Sequence, residues 1–220
     1  MGVVRADLTS PNTRPEDLPS IRQALDGYLA NDLWAPKIKL PVLILLISHS
    51  AQRCYLTQAV KTHKKLGYWL AVCYDSFINP LEKEIDYNRY MPPKDVMDDI
   101  DTFMITHYQT WGGVSYPFMW SLKIASGLAQ HFKYVYCING DCVIEKPEGF
   151  PELLAMLGDA DIMSSGPALE REIGTAGLLM KSDAFLKIAT HMIDHVVPFE
   201  EYEKSTQDYG NTEGRLNMAV

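Results

Sequence analysis

The sequence predicts an α/β domain built on a mostly parallel sheet flanked by helices, and three observations carry that expectation. Residues 42–47 are apolar without interruption, which suits a strand covered on both faces rather than one with a wet side. A segment with helical spacing follows over about 51–66, placing Leu56, Ala59, Val60, His63 and Leu66 on one face and stopping at Gly67. A second apolar run over residues 68–74 comes next and ends at Asp75. Strand, helix and strand in that order imply a right-handed crossover between parallel neighbours.

The remaining elements are read in chain order. Residues 1–40 form a polar N-terminal extension in which Leu18, Ile21, Leu25 and Leu29 predict one amphipathic helix over 15–31. That helix either packs on the domain or serves a partner, such as a second copy of the chain in a homo-oligomer. Residues 79–101 are acidic, carry Pro80, Pro92 and Pro93, and read as a surface excursion with a short helix. A third strand is expected over 102–107. The stretch Trp111-Gly112-Gly113-Val114-Ser115-Tyr116-Pro117 is an aromatic loop whose paired glycines permit closure over a ligand. A helix over 118–130, with Trp120, Ile124 and Leu128 inward, leads to a strand over 134–138, and a further helix is expected over 148–157.

Composition narrows the function. With 220 residues, 47% of them apolar and 22% charged, the chain is long enough to bury a core of its own. Its 28 acidic against 20 basic residues give a net charge of -8, which argues against a nucleic-acid partner, since binding a phosphate backbone takes clustered Lys and Arg. The four cysteines, Cys54, Cys73, Cys137 and Cys142, include no close-set metal-ligand pair and read as free thiols of a reducing compartment. Residues 1–14 are polar, unlike a secretory leader. The strongest apolar run, 40–47, falls well short of the ~20 residues that span a bilayer. A soluble, cytoplasmic protein without a transmembrane segment is therefore expected.

Ligands of parallel sheets gather at the carboxyl ends of the strands. Ser48, His49, Ser50 and Asp75 fall there, as does Asn139-Gly140-Asp141 after the fourth run. Asn-Gly and Gly-Asp are also hairpin dipeptides, so a hairpin is the alternative, although only a short second arm would fit before Pro147.

The segment Tyr136-Cys137-Ile138-Asn139-Gly140-Asp141 is similar to the strand and Asp-X-Asp motif of nucleotide-sugar-dependent glycosyltransferases of the GT-A fold (family 2-like), with Asn in the first acidic place. Thr175-Ala176-Gly177-Leu178-Leu179-Met180-Lys181-Ser182-Asp183-Ala184-Phe185 resembles that family's strand and helix beneath the acceptor site. Gln207-Asp208-Tyr209-Gly210-Asn211-Thr212-Glu213-Gly214-Arg215-Leu216 resembles its Glu-Asp pair followed by a helix bearing Arg. The resemblance implies a Rossmann-like mixed, mostly parallel sheet flanked by helices, in a single GT-A-like domain over 41–220 that is shortened or truncated at its C-terminus. It further implies transfer of a sugar from a UDP- or GDP-type donor to a hydroxyl of a glycan or other acceptor, with inversion and with help from Mn2+ or Mg2+.

The chemistry assigns roles under that resemblance. A departing diphosphate gathers negative charge that a divalent cation offsets, and carboxylate and amide oxygens suit such a hard cation. Asp141 and Asn139 are the candidate metal ligands. Ser48, His49, Ser50, Arg53, Asp75, Lys123, Asn139 and Gly140 are the candidate donor-binding residues, the first four lying where a helix start favours anions. Asp208 is the candidate general base toward the acceptor hydroxyl, with Glu213 in reserve. Plainer readings stand beside these: Asn139 and Asp75 as turn residues, His49 as a loop histidine, Lys123 as a solvated cation, and Asp208 as a helix cap. His191 and His195, four residues apart, suit packing better than metal binding. A nucleotidyltransferase is one alternative, but Ser48-His49-Ser50-Ala51-Gln52-Arg53 lacks the glycines of a phosphate loop. A non-catalytic GT-A-like binding domain is the other, and Asn139 and Gln207 favour it.

Overall fold

The computed structural model describes residues 2–3, 40–75, 91–106, 121–122, 125–164 and 177–194. Its strands are β1 (Gly2–Val3), β2 (Leu40–His49), β3 (Trp69–Asp75), β4 (Thr102–Thr106), β5 (Phe132–Asn139), β6 (Ile162–Ser164) and β7 (Gly177–Lys181). Its helices are α1 (Arg53–Lys64), α2 (Phe150–Leu157) and α3 (Ser182–Asp194), with 3-10 turns at Ser50–Gln52, Lys94–Val96 and Pro147–Gly149. Residues 121–122 and 125–129 are also helical. The seven strands of the described residues join one sheet in the order β1-β4-β3-β2-β5-β7-β6.

The uninterrupted apolar run becomes β2, at the centre of that sheet, and Val42 through Ser48 are all buried. It pairs in parallel with β3 on one side and β5 on the other, and β3 pairs in parallel with β4. Successive side chains of a strand point to opposite faces, so β2 feeds two cores at once. Leu43, Leu45 and Ile47 join Cys73, Val135, Cys137, Leu128 and, from α3, Phe185 and Ile188. Val42, Ile44 and Leu46 join Leu56 and Val60 of α1, Val96, Ile100 and, from α2, Phe150 and Leu157. The result is an α/β domain of three layers, with helices on both faces of the sheet. Each fully buried Leu or Ile side chain stabilises by about 1.5–3 kcal/mol relative to exposure, which is how a strand with no polar face is held at the centre of the sheet.

Parallel order ends beyond β5. There β7 runs antiparallel to β5, pairing Ile138 with Gly177, and β6 runs antiparallel to β7. The sheet is therefore mixed but mostly parallel. Ser182, the first residue of α3, donates its hydroxyl to Phe132 O at 2.7 Å, tying the start of that helix to the start of β5.

Several boundaries differ from expectation for local reasons. The helix expected over 51–66 begins as the 3-10 turn Ser50–Gln52 and becomes α-helical at Arg53. It closes at Gly67, whose φ of 71° lies in the left-handed region open to glycine. The helix expected over 148–157 likewise starts with a 3-10 turn at Pro147–Gly149. The hairpin alternative is overturned: Cys142 N donates to Asn139 O at 3.0 Å, closing a single turn, and residues 142–146 then run without any strand. Two strands had no strong sequence signal. β6 is three half-buried residues, and β1 is the dipeptide Gly2–Val3 within the polar extension, set beside β4. The expected helix over 15–31 lies outside the described residues.

The four cysteines are free, with Cys73 and Cys137 buried as expected; burial pushes the Cys73 thiol up to about 12. Among the described residues no helix is long and apolar enough to cross a membrane.

His63 is wholly buried on the inner face of α1. Its Nδ1 lies 2.7 Å from Ala59 O, and a carbonyl only accepts, so Nδ1 carries the proton and Nε2 the lone pair. Burial holds its pKa below the ordinary 6.5, against the opposing pull of the Ala59 carbonyl. Below about pH 6.5 the unfolded chain takes up a proton that the folded chain refuses, so stability falls as pH drops, by at most about 1.4 kcal/mol per pH unit for one such group. Urea unfolding at pH 7.5, 6 and 5 should show this decline, and His63→Gln should flatten it; an unchanged slope in the variant would assign the decline elsewhere.

Candidate functional site

The topology brings the expected polar residues to one edge. Because β2, β3, β4 and β5 are parallel, His49, Asp75, Thr106 and Asn139 all end at the same side of the sheet. The register is close: His49 lies beside Asp75, and Asn139 beside Ile47. Antiparallel β7 begins at this edge with Gly177, and β6 ends there with Ser164. The opposite, amino edge holds a groove of about 370 Å³ lined by Leu40, Tyr68, Trp69 and the Lys64–Asp101 ion pair. None of the expected site residues lines it.

The ends of β2 and β5 are pressed together. Gly140 N donates to Ile47 O at 2.7 Å, one bond beyond the last residue of β5. A Cβ on Gly140 would overlap Ser48 Cβ and Oγ and lie 3.2 Å from Ser48 Cα. Glycine is needed here for close backbone approach rather than for an unusual φ. Ser48 is only 2% exposed, and its hydroxyl has no hydrogen-bond partner among the described residues. The structure thus places Ser48 beneath the turn rather than open to solvent.

Past Gly140 the chain emerges. Asp141 is exposed, and its Oδ2 accepts a hydrogen bond from Gln52 Nε2 at 2.9 Å. Its Oδ1 accepts from the Cys142 thiol at 3.6 Å; burial, followed by the charge of Asp141, raises that thiol's pKa. His49 is half-buried, and desolvation holds its pKa below 6.5 although the Asp141 carboxylate pulls the other way. A neutral imidazole at pH 7 offers one donor and one lone pair.

Asp75 is 3% exposed and takes part in a polar interaction. Beside it Tyr74 is wholly buried, and its hydroxyl has no partner among the described residues. Burial drives its pKa up, the Arg53 guanidinium opposes that, and the Asp75 charge adds to it. Arg53, the first residue of α1, donates from Nε to Met91 O at 2.7 Å. That bond fixes the guanidinium toward the segment that enters at Met91.

Of the residues expected from sequence, Ser48, His49, Ser50, Arg53, Asp75, Asn139, Gly140 and Asp141 are brought to this one edge or to the first turn after it. Lys123, Asp208 and Glu213 lie outside the described residues, as do Trp111, Tyr116 and His195. Among the described residues, no three His, Cys, Asp or Glu side chains converge in a manner that holds a metal by themselves. Gln52 and Tyr74 were not anticipated. A glutamine at the start of a helix carries no motif, and a tyrosine inside an apolar run is indistinguishable from packing.

Among the described residues the edge therefore offers one exposed carboxylate, one buried carboxylate, a neutral imidazole and an amide oxygen from Asn139. That set suits a ligand rich in hydrogen-bonding groups, and its oxygens suit a hard divalent cation whose remaining positions come from the ligand and water. No protein-family model matches the chain, and no curated protein matches it.

Gly140→Ala should lower stability by about 1–3 kcal/mol, the usual range for forcing atoms into a filled space. Ser48→Gly in the same chain should recover part of that loss by removing the Cβ in conflict. Denaturant midpoints of the single and double variants measure both effects; a neutral Gly140→Ala would show that the two strand ends yield easily.

Proposed function

We propose that this chain is a glycosyltransferase, moving a sugar from a UDP- or GDP-type nucleotide-sugar donor to a hydroxyl acceptor at the carboxyl edge of its sheet. The observation that carries this reading is the position of Asp141. It is an exposed carboxylate in the turn that ends β5, beside the ends of β2 and β3 where Asp75 is buried. The mixed, mostly parallel sheet with helices on both faces agrees with the GT-A resemblance. So does the strand and helix pair β7 and α3, which overlaps the stretch 175–185 that carries the resemblance.

A divalent cation, Mn2+ or Mg2+, fits the donor chemistry at this edge. Asp141 and Asn139 would hold it through oxygen, and when bound it would offset the charge of the leaving diphosphate. The chain's own residues do the rest. Asp75 would accept a hydrogen bond from the nucleoside, the more strongly because it is shielded from water. Neutral His49 would donate to or accept from the donor without adding charge, and Arg53 and Lys123 would supply positive charge to phosphate oxygens. Asp208 would take the proton from the acceptor hydroxyl as that oxygen attacks the sugar carbon, with Glu213 in reserve. Reaction would then proceed with inversion.

A second reading is favoured by one residue. Asn139 is neutral where the resemblance has an acid, which lowers the charge available to a cation and suits a GT-A-like domain that binds its ligand without transfer.

Thermal unfolding in the presence of UDP-, GDP- and CMP-sugars, with and without Mn2+, tests donor binding. At about 100 times Kd, a ligand specific to the folded state adds about 2.7 kcal/mol, so a raised Tm that depends on Mn2+ is expected. Asp141→Ala should abolish the metal-dependent part. No stabilisation by any of these donors would sink the reading.

Asp208→Asn separates transferase from binding domain. Donor binding should persist while transfer to acceptor stops, and normal turnover would remove Asp208 from the role of base.

A further inference from the structure

Gln52 ends the 3-10 turn that leaves β2, and its Nε2 reaches Asp141 Oδ2 at 2.9 Å across 89 residues of sequence. An ionised carboxylate only accepts hydrogen bonds, so the amide must turn its NH2 toward Asp141 and its carbonyl away. That carbonyl oxygen is buried and has no hydrogen-bond partner among the described residues. Asp141 itself is exposed on a turn, and an exposed aspartate is otherwise free to rotate among several rotamers. The one hydrogen bond to its Oδ2 from another element comes from Gln52 among the described residues.

Resting on the functional reading above, we propose that Gln52 is a positioning residue for Asp141, holding the carboxylate in the orientation that meets a divalent cation bound with the nucleoside diphosphate. It acts through Asp141 and not on the reacting atoms. Groups hydrogen-bonded to a metal ligand typically govern metal affinity by roughly ten- to a hundredfold, and the hydrogen bond places Gln52 in that relation to Asp141.

The test is the ratio of UDP and GDP affinities measured by titration calorimetry with and without Mn2+, on the full chain. Gln52→Met keeps the length and bulk of the side chain but removes both hydrogen-bonding groups, and it should lower that ratio roughly tenfold. In the Asp141→Ala chain the ratio should be close to one, and adding Gln52→Met should leave it there, since two residues acting as one unit are not additive. Gln52→Asn, one methylene too short to span the gap, provides a second variant with the same expected pattern if Gln52→Met does not fold. An equal loss with and without Mn2+, or no loss, would overturn the inference while leaving the functional reading standing. A wild-type chain whose nucleotide affinity ignores Mn2+ would bring down the metal-assisted reading and the inference with it.

Discussion

A strand buried on both faces, with a parallel neighbour on each side, is the constraint from which the rest of this structure follows. From Val42 to Ser48, β2 exposes no side chain to water, so its backbone donors and acceptors must be met by β3 and β5. Its two sets of side chains must likewise be covered, one by α1 and α2 and the other by α3 and the helical residues 121–122 and 125–129. Once β2 is held this way, the direction of its parallel neighbours fixes which chain ends meet. The polar edge is a consequence of the buried centre.

At that edge the packing is close where the two strands end and opens where Asp141 emerges. Gly140 lies against Ser48 with no room for a side chain, and that contact sets the point at which the β5 chain leaves the sheet. One residue later the carboxylate is in water and in reach of Gln52. Desolvation keeps His49 neutral in the face of the nearby Asp141, and it keeps the Tyr74 phenol protonated next to Asp75. Among the described residues the edge thus sets polar groups and the Arg53 guanidinium around two acids, one shielded and one exposed.

Much of the fold was legible because its elements are strongly patterned. The apolar runs in β2 and β3, the one-sided spacing of α1 and the stop at Gly67 all reappear within a few residues of expectation. The strand and helix that the family resemblance implied over 175–185 also appear, as β7 and α3. Weakly patterned pieces were not legible. Ile162, Met163 and Ser164 form a strand only because β7 offers a free edge beside them, and Gly2–Val3 does so only beside β4. The turn after β5 carried hairpin dipeptides, yet the pairing partner of β5 is β7, so Cys142 and its successors have no strand to join.

By itself the sequence determined that the chain would bury strands in a mostly parallel sheet, and that Ser48, His49, Asp75 and Asp141 would stand at strand ends. Those properties depend on local apolar periodicity, which a few neighbouring residues encode. Only the tertiary structure decided which ends lie side by side, that Ser48 is covered while Asp141 is open, and that Gln52 holds the carboxylate. These depend on register between strands far apart in sequence: Gln52 and Asp141 are 89 positions apart, and no local pattern can carry a contact that two shared neighbours of a buried strand create.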